Sequence, residues 1–200
     1  MSEEEKSCCC GDDDEQSCCS NCAEDEACKD EPFIGRKKVV YVDYLYLDQS
    51  ICDRCQGTDK RVEKAVAMLA PIMEMAGYSL VMSRIEIANE QLAVEHKFAS
   101  SPTVRVNGVD ICPEIIENPC ECCRDISDYD VYCRQFDFNG KLYEVPPTAY
   151  VVKRMCEIVF CNEQPSDEPY VMPENIKGFL EGKAAKQDEK KSSGGSCCCS

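Results

Sequence analysis

Apolar residues along the middle of this chain follow two different periods. The almost continuous apolar run from Val39 to Leu47 predicts a central strand that is buried on both faces. Apolar residues then recur every three to four positions between Val62 and Ala76, which predicts one face of a helix that ends near Gly77. The segment from Tyr78 to Ile87 predicts a second strand, and Asn89 is expected to cap a second helix.

Two Asn-Gly pairs predict antiparallel hairpins later in the chain. Asn107-Gly108 and Asn139-Gly140 each lie between short apolar runs, and Pro146-Pro147 is expected to open a further helix. The first strand, helix and strand require a parallel pair, whereas the hairpins require antiparallel pairs. The order therefore predicts an α/β fold, namely a thioredoxin-like mixed sheet with helices on both faces and a Cys-rich insertion between the hairpins.

Composition divides the chain into three segments. Residues 1–35 are acidic and rich in cysteine, with few large apolar side chains, and are predicted to be a disordered tail. Residues 36–162 are predicted to form the thioredoxin-like domain. Residues 163–200 are predicted to be a second disordered Cys-rich tail, flexible and ending in a cysteine triplet, with at most a short docking helix from Asn175 to Leu180.

Charge and hydropathy narrow the classes of partner. The formal net charge is −16, so a basic surface for nucleic acid is not expected. Because the chain has neither a long apolar run nor the features of a signal peptide, we expect no membrane partner and a cytoplasmic location. In that reducing compartment, 19 cysteines favour metal ligation or redox chemistry over structural disulfides.

The motif Cys52-Asp53-Arg54-Cys55 lies between the first predicted strand and the first predicted helix, which is typical of a redox dithiol. We predict Cys52 as the nucleophile, because the helix N-terminus stabilises its thiolate, Asp53 as the N-cap and Cys55 as the resolving thiol. Pro102, before a later strand, is predicted to shape a groove for a protein or small-molecule disulfide. Alternatively, the two thiols are half of a zinc site.

Three stretches resemble one known family: YVDYLYLDQSICDRCQGTDKRVEKA, FASSPTVRVNG and FNGKLYEVPPTAYVVKRM. They are similar to the thioredoxin-like "DF family" (seleno)proteins of bacteria and archaea, whose function is unknown. The resemblance covers most of the segment from Val39 to Phe160, and the CxxCxGTD junction is its most specific part. It implies a thioredoxin-like fold with a redox or selenocysteine-exchangeable site at Cys52 or Cys55, and it implies no known substrate.

The remaining cysteines occur in groups that are expected to bind soft ions such as Zn(II), Cu(I), trivalent arsenic or Hg(II). Four of the five cysteines between 112 and 133 are alternatively a structural zinc site, or one of them is a resolving cysteine for the CxxC motif. The predicted metal ligands are Cys8, Cys9, Cys10, Cys18, Cys19, Cys22, Cys120, Cys122, Cys123, Cys197, Cys198 and Cys199.

These features favour a thiol protein that performs dithiol–disulfide exchange at Cys52 and Cys55 while its cysteine clusters bind soft metal or metalloid ions. Such a protein would be a thiol–disulfide oxidoreductase. The alternative is a non-enzymatic soft-metal-binding protein or metallochaperone in which the CxxC motif is another ligand pair. A third interpretation is a protein-interaction module of the same fold without catalysis.

Overall fold

The computed structural model describes residues 36–193, and it describes the side chains as far as residue 189. Within that range the chain forms seven strands and five helices. The strands are β1 (Lys38–Tyr46), β2 (Tyr78–Glu86), β3 (Thr103–Val106), β4 (Val109–Asp110), β5 (Ile116–Pro119), β6 (Tyr132–Phe138) and β7 (Lys141–Tyr143). The helices are α1 (Asp53–Met75), α2 (Glu90–Glu95), α3 (Glu121–Ser127), α4 (Thr148–Phe160) and α5 (Glu174–Ser193).

The larger sheet has the strand order β2-β1-β3-β4. β1 and β2 are parallel, as the intervening helix requires, whereas β1 pairs with β3 and β3 with β4 in antiparallel register. Asn107 and Gly108 connect β3 to β4 and both adopt positive φ, at 50° and 82°. The predicted mixed α/β sheet is therefore confirmed, and its strand order is compatible with a thioredoxin-type topology.

Helices cover both faces of this sheet, as predicted. Side chains of successive strand residues point to opposite faces. On β1, Val42 and Tyr44 accordingly belong to a core formed with α1 and α4, while Leu45 belongs to a second core formed with α2 and α5. This second core also contains five buried cysteines: Cys52, Cys55, Cys120, Cys123 and Cys133. We call the side of the sheet that holds it the thiol-rich half.

The prediction that β1 is buried on both faces is wrong for its first half. Val39 and Tyr41 are 46% and 53% exposed, while Val40 and Val42 between and beside them are buried. α2 has only six residues and is therefore about 9 Å long, too short to cover the full length of that face. Asn89 caps α2 as predicted, since its Oδ1 accepts a hydrogen bond from the Leu92 amide at 3.0 Å.

The insertion between the hairpins is more regular than the sequence predicts. β5, β6 and β7 form a second antiparallel sheet, and α3 connects β5 to β6. The predicted Asn139-Gly140 hairpin is confirmed between β6 and β7. The insertion is therefore a small folded layer, and the core of the thiol-rich half depends on it.

The predicted flexible tail 163–200 is corrected where the structure describes it. α5 is far longer than the predicted docking helix, and Ile176, Phe179 and Leu180 on it are buried in the second core. A core that ends at residue 162 would lose these side chains. The predicted disordered tail 1–35 and the triplet at 197–199 lie outside the described residues. In the part that is described, no helix has the length and apolar character needed to cross a membrane.

Candidate metal centre

The first CxxC motif forms the N-terminus of α1. Cys52, not Asp53 as predicted, is the N-cap, and its carbonyl oxygen accepts a hydrogen bond from the Gln56 amide at 3.0 Å. Cys55 lies in the first turn, where the buried Tyr44 hydroxyl donates to its carbonyl oxygen at 2.7 Å. Both cysteines are fully buried. The motif is therefore held rigidly at the end of β1, with its two sulfur atoms inside the protein.

A second CxxC motif repeats this arrangement at the N-terminus of α3. Cys120 is the N-cap and Cys123 lies in the first turn, with the Arg124 amide donating to the Cys120 carbonyl at 3.1 Å. The Cys120 amide donates to the Val131 carbonyl at 2.8 Å, at the end of the ladder that pairs β5 with β6. This ladder brings Cys133, near the start of β6, beside the same helix end.

The two motifs meet at their helix N-termini. The Sγ atoms of Cys52, Cys120 and Cys123 all lie within 4.8 Å of one another. The Sγ atoms of Cys123 and Cys133 are 3.5 Å apart. Because Cys55 is the motif partner of Cys52, we call these five buried residues the thiol cluster: Cys52, Cys55, Cys120, Cys123 and Cys133.

The thiols of the cluster differ in the direction in which their pKa values are shifted. Hydrogen bonds from Cys123, Cys133 and Cys52 lower the pKa of Cys120 far below the ordinary thiol range. Contact with Cys120 raises the pKa of Cys52, but the hydrogen bonds from Cys123 and Cys55 outweigh it and leave this pKa lowered. The pKa values of Cys123 and Cys133 are raised, chiefly by Cys120, and that of Cys55 is raised by Cys52 and by burial. Negative charge is thus favoured on Cys120 and Cys52.

Arg54, inside the first motif, forms hydrogen bonds to residues next to the second motif. Its guanidinium donates to the Pro119 carbonyl at 2.9 Å and to Glu144 Oε1 at 2.7 Å, and it also bonds Asn118 Oδ1. Pro119 immediately precedes Cys120, so these bonds set the distance between the two helix N-termini.

Pro102 lies where the sequence predicts, beside the first motif. It is buried, the Ser101–Pro102 peptide is cis, and Ser101 Oγ is 3.7 Å from Cys55 Sγ. The Ser101 carbonyl accepts a hydrogen bond from the Arg134 amide at 2.7 Å. The backbone carbonyl next to Pro102 is therefore paired with β6 of the same chain. The role of Pro102 with a substrate stays a prediction.

A small cavity reaches the cluster from the surface. It has a volume of about 230 Å³, and its lining includes Cys120, Glu121, Asp130 and Tyr132. Cys120 is 4% exposed, whereas the other four cysteines of the cluster are fully buried. The lining carries mixed charge, because Arg124 contributes a guanidinium beside the carboxylates of Glu121 and Asp130. The cavity therefore provides an entry path at Cys120.

The structure separates the predicted metal ligands into three groups. Cys120 and Cys123 join the thiol cluster, while Cys122 is half-buried and is not among the three sulfur atoms that lie together. The candidates in the terminal segments lie outside the described residues: Cys8, Cys9, Cys10, Cys18, Cys19, Cys22, Cys197, Cys198 and Cys199. The predicted ligands did not include Cys133, and sequence reasoning did not recognise Cys120 and Cys123 as a second CxxC motif that meets Cys52. The signal that was available is the second CxxC spacing, Cys120 to Cys123.

The cluster fits a thiophilic ion. In a tetrahedral zinc–thiolate site the metal–sulfur distance of about 2.3 Å places the sulfur atoms about 3.8 Å apart. The 3.5 Å between Cys123 and Cys133 is already close to this value, and the limit of 4.8 Å for the other sulfur atoms requires shifts of only about 1 Å. The three thiolates of Cys52, Cys120 and Cys123 can therefore hold one ion, and Cys133, whose Sγ contacts that of Cys123, is the candidate for a fourth ligand.

Comparison with known proteins gives a family and no function. No curated protein and no solved structure matches the chain. The resemblance to the thioredoxin-like "DF family" stays a prediction. One family profile matches residues 40–155, which include all five cysteines of the thiol cluster and exclude α5. Because this match covers more than half of the 200 residues, the chain belongs to the family described as "Domain of unknown function (DUF2703)".

Proposed function

We propose that this protein binds a soft metal or metalloid ion through the thiol cluster, with Cys52, Cys120 and Cys123 as its common ligands and Cys133 as the fourth. The observation that carries the proposal is the convergence of three Sγ atoms within 4.8 Å of one another, from two helix N-termini. In addition to the hydrogen bonds among the thiols, the backbone of Cys55 lowers the pKa of Cys52 and that of Cys123 lowers the pKa of Cys120, which favours the thiolates that metal binding requires.

The surroundings of the cluster suit a soft ion better than a hard one. All donors are sulfur, and thiolates select Zn(II), Cu(I) and related thiophilic ions over Mg(II) or Ca(II). The ligands come from β6 and from the starts of α1 and α3, so a bound ion would link the first helix after β1 to the layer formed by α3 and β6. The terminal cysteines remain predicted ligands for further equivalents of such ions.

Dithiol–disulfide exchange with an external substrate is the second candidate. The placement of Cys52 and Cys55 at the N-cap and in the first turn of a helix favours it, as does a thioredoxin-type architecture. Full burial of both sulfur atoms and pairing of the Ser101 carbonyl with β6 argue against direct approach of a protein disulfide. Ion binding is therefore the better supported of the two.

The test uses full-length chain in which the ten cysteines outside the described residues are replaced by serine, here called the core-thiol variant. Titration of this variant with Co(II) under reducing, oxygen-free conditions should give thiolate-to-metal charge-transfer absorption that saturates at about one equivalent. Cys52→Ser, Cys120→Ser and Cys123→Ser should each lower the affinity by more than about a hundredfold, the upper range for loss of an outer-shell partner. Native mass spectrometry should show that Zn(II) occupies the same site.

The matched control is Cys156→Ser, which removes a half-buried thiol of α4 far from the cluster. It should bind Co(II) like the core-thiol variant, and circular dichroism should show that every variant is folded. Absence of charge-transfer absorption in the folded core-thiol variant would contradict the proposal. Equal affinity in the Cys156→Ser and Cys120→Ser variants would contradict the assignment of ligands.

Arg54 provides a test of how the two motifs are positioned. Arg54→Lys keeps the positive charge but cannot donate to Pro119, Asn118 and Glu144 together. We expect this change to weaken Co(II) binding by about ten- to a hundredfold, as for other outer-shell partners, without changing the form of the charge-transfer spectrum. Arg84→Lys, in the exposed pair with Asp59, is the control and should leave the affinity unchanged.

A further inference from the structure

Five thiols lie in the cluster, which is one more than a tetrahedral ion takes. The surplus thiol is Cys55, whose Sγ lies 3.7 Å from Ser101 Oγ. It shares the first turn of α1 with Cys52, the spacing at which a CxxC motif closes its own disulfide. Cys120 and Cys123 have the same relation on α3. The cluster therefore contains two dithiol pairs that face each other.

Sulfur atoms of the two pairs are close enough for exchange between them. Cys52 Sγ lies within 4.8 Å of both Cys120 Sγ and Cys123 Sγ, while a disulfide bond is about 2 Å long. Movement by about 2–3 Å, within the range of a χ1 change of one cysteine, brings Cys52 onto either sulfur atom. No solvent-exposed intermediate is required, because all three side chains are buried in one core.

Access to the cluster from the surface is at Cys120, which is the residue of the cluster with measurable exposure, 4%. Cys120 lines the cavity of about 230 Å³, whereas Cys52 and Cys55 are fully buried behind it. A small disulfide such as oxidised glutathione can therefore meet Cys120 before it can meet Cys52. Because Cys120 is the accessible cysteine and Cys52 lies close to it, Cys120 is expected to react first and Cys52 after it.

We propose that the metal-free protein is a two-dithiol relay, which accepts oxidation at Cys120 and Cys123 and passes the disulfide to Cys52 and Cys55. This activity goes beyond ion binding and uses the same sulfur atoms. A bound ion therefore blocks the relay, and a completed Cys52–Cys55 disulfide removes one ligand of the ion.

Each step breaks one sulfur–sulfur bond and forms another. The Cys120 thiol attacks a low-molecular-weight disulfide and releases one thiol, and the Cys123 thiol then attacks the Cys120 sulfur and releases the second. Cys52 next attacks the Cys120 sulfur of the new disulfide, so Cys123 leaves as a thiol. Cys55 finally attacks Cys52 and frees Cys120. In every step the proton of the attacking thiol ends on the leaving sulfur. Over the whole sequence the small disulfide is reduced by two electrons to two thiols, and the Cys52–Cys55 pair is oxidised by two electrons.

The experiment uses the core-thiol variant after removal of metal with a chelator. Oxidised glutathione is added, samples are quenched with acid and alkylated at increasing times, and disulfides are identified by peptide mass spectrometry. A Cys120–Cys123 disulfide should appear first, followed by a Cys52–Cys120 cross-link that decays as the Cys52–Cys55 disulfide accumulates. Cys55→Ser should trap the Cys52–Cys120 cross-link. Cys120→Ser should slow oxidation of Cys52 by more than about tenfold, because access to the buried thiol is lost.

Cys156→Ser is again the control and should follow the time course of the core-thiol variant. Cross-links confined to the segment from Cys120 to Cys133 would overturn the relay, as would an unchanged rate of Cys52 oxidation in Cys120→Ser. The time course of the core-thiol variant decides the question even if a substituted variant fails to fold, because a Cys52–Cys55 disulfide without a preceding Cys52–Cys120 cross-link also overturns it. Co(II) binding is measured separately, so failure of the relay does not imply failure of the metal site.

Discussion

Replacing Phe179 by alanine should lower the free energy of unfolding by about 3–5 kcal/mol, the range for removing a buried aromatic side chain. Phe179 is fully buried on α5 and packs in the core that contains Cys123 and Cys133. The substitution leaves a cavity beside these thiols. Urea denaturation of the reduced protein, followed by circular dichroism, measures the effect as a fall in midpoint at unchanged slope.

Val171→Ala is the control for this prediction. Val171 precedes α5 and is 83% exposed, so its truncation should change the free energy of unfolding by less than about 0.5 kcal/mol. A loss of less than about 1 kcal/mol in Phe179→Ala would mean that α5 does not contribute to the core in solution. In that case the thiol cluster would lack the cover that the structure gives it.

Asp110→Asn should also be strongly destabilising, by about 3 kcal/mol, because it leaves a buried charge without its partner. The Arg134 side chain is only 1% exposed, and its Nη1 donates to both carboxylate oxygens of Asp110 at 2.8 Å and to the Cys112 carbonyl at 2.9 Å. Asp110 is partly accessible to water, so we place the cost at the lower end of the range for broken buried pairs. The measurement is again the urea midpoint.

A double-mutant cycle separates the ion pair from its surroundings. Arg134→Met combined with Asp110→Asn should recover part of the stability lost in Asp110→Asn, because the double variant no longer buries a lone charge. Glu157→Gln, which weakens the pairs of this carboxylate with Lys153 and Arg154, should change the free energy of unfolding by less than about 1 kcal/mol, because Arg154 keeps its pair with Glu163. If Asp110→Asn behaves like Glu157→Gln, the Arg134–Asp110 pair is not a structural contact in solution.

Both predictions concern the side of the molecule that holds the cluster. Arg134 follows Cys133 on β6, and its amide pairs with the Ser101 carbonyl beside Cys55. Phe179 belongs to the same buried core as Cys123 and Cys133. The hydrogen bond from Arg134 to Ser101 and the packing of Phe179 thus stabilise the thiol-rich half and also position its sulfur atoms. Variants that weaken this half should therefore also weaken Co(II) binding, whereas variants of the α1–α4 core should do so less.

Local features of the sequence were sufficient for the main sheet and for the first half of the site. Two Asn-Gly pairs predicted both hairpins, because these residues adopt positive φ at little cost. The apolar run before Cys52 predicted β1, and the spacing of Cys52 and Cys55 predicted a dithiol at a helix N-terminus. All of these depend on interactions between residues that are close in the chain.

Contacts between distant residues decided the rest. Exposure of Val39 and Tyr41 follows from the shortness of α2. The first turns of α5 are held in place by burial of Ile176, Phe179 and Leu180, whereas residues 184–189 of the same helix are mostly exposed. Cys52 meets Cys120 only because β5 pairs with β6 and because Arg54 bonds the Pro119 carbonyl. The sequence thus determined which residues carry sulfur chemistry and where the helices begin. The tertiary structure alone decided which sulfur atoms meet, because no local period encodes the pairing of two separate helix N-termini.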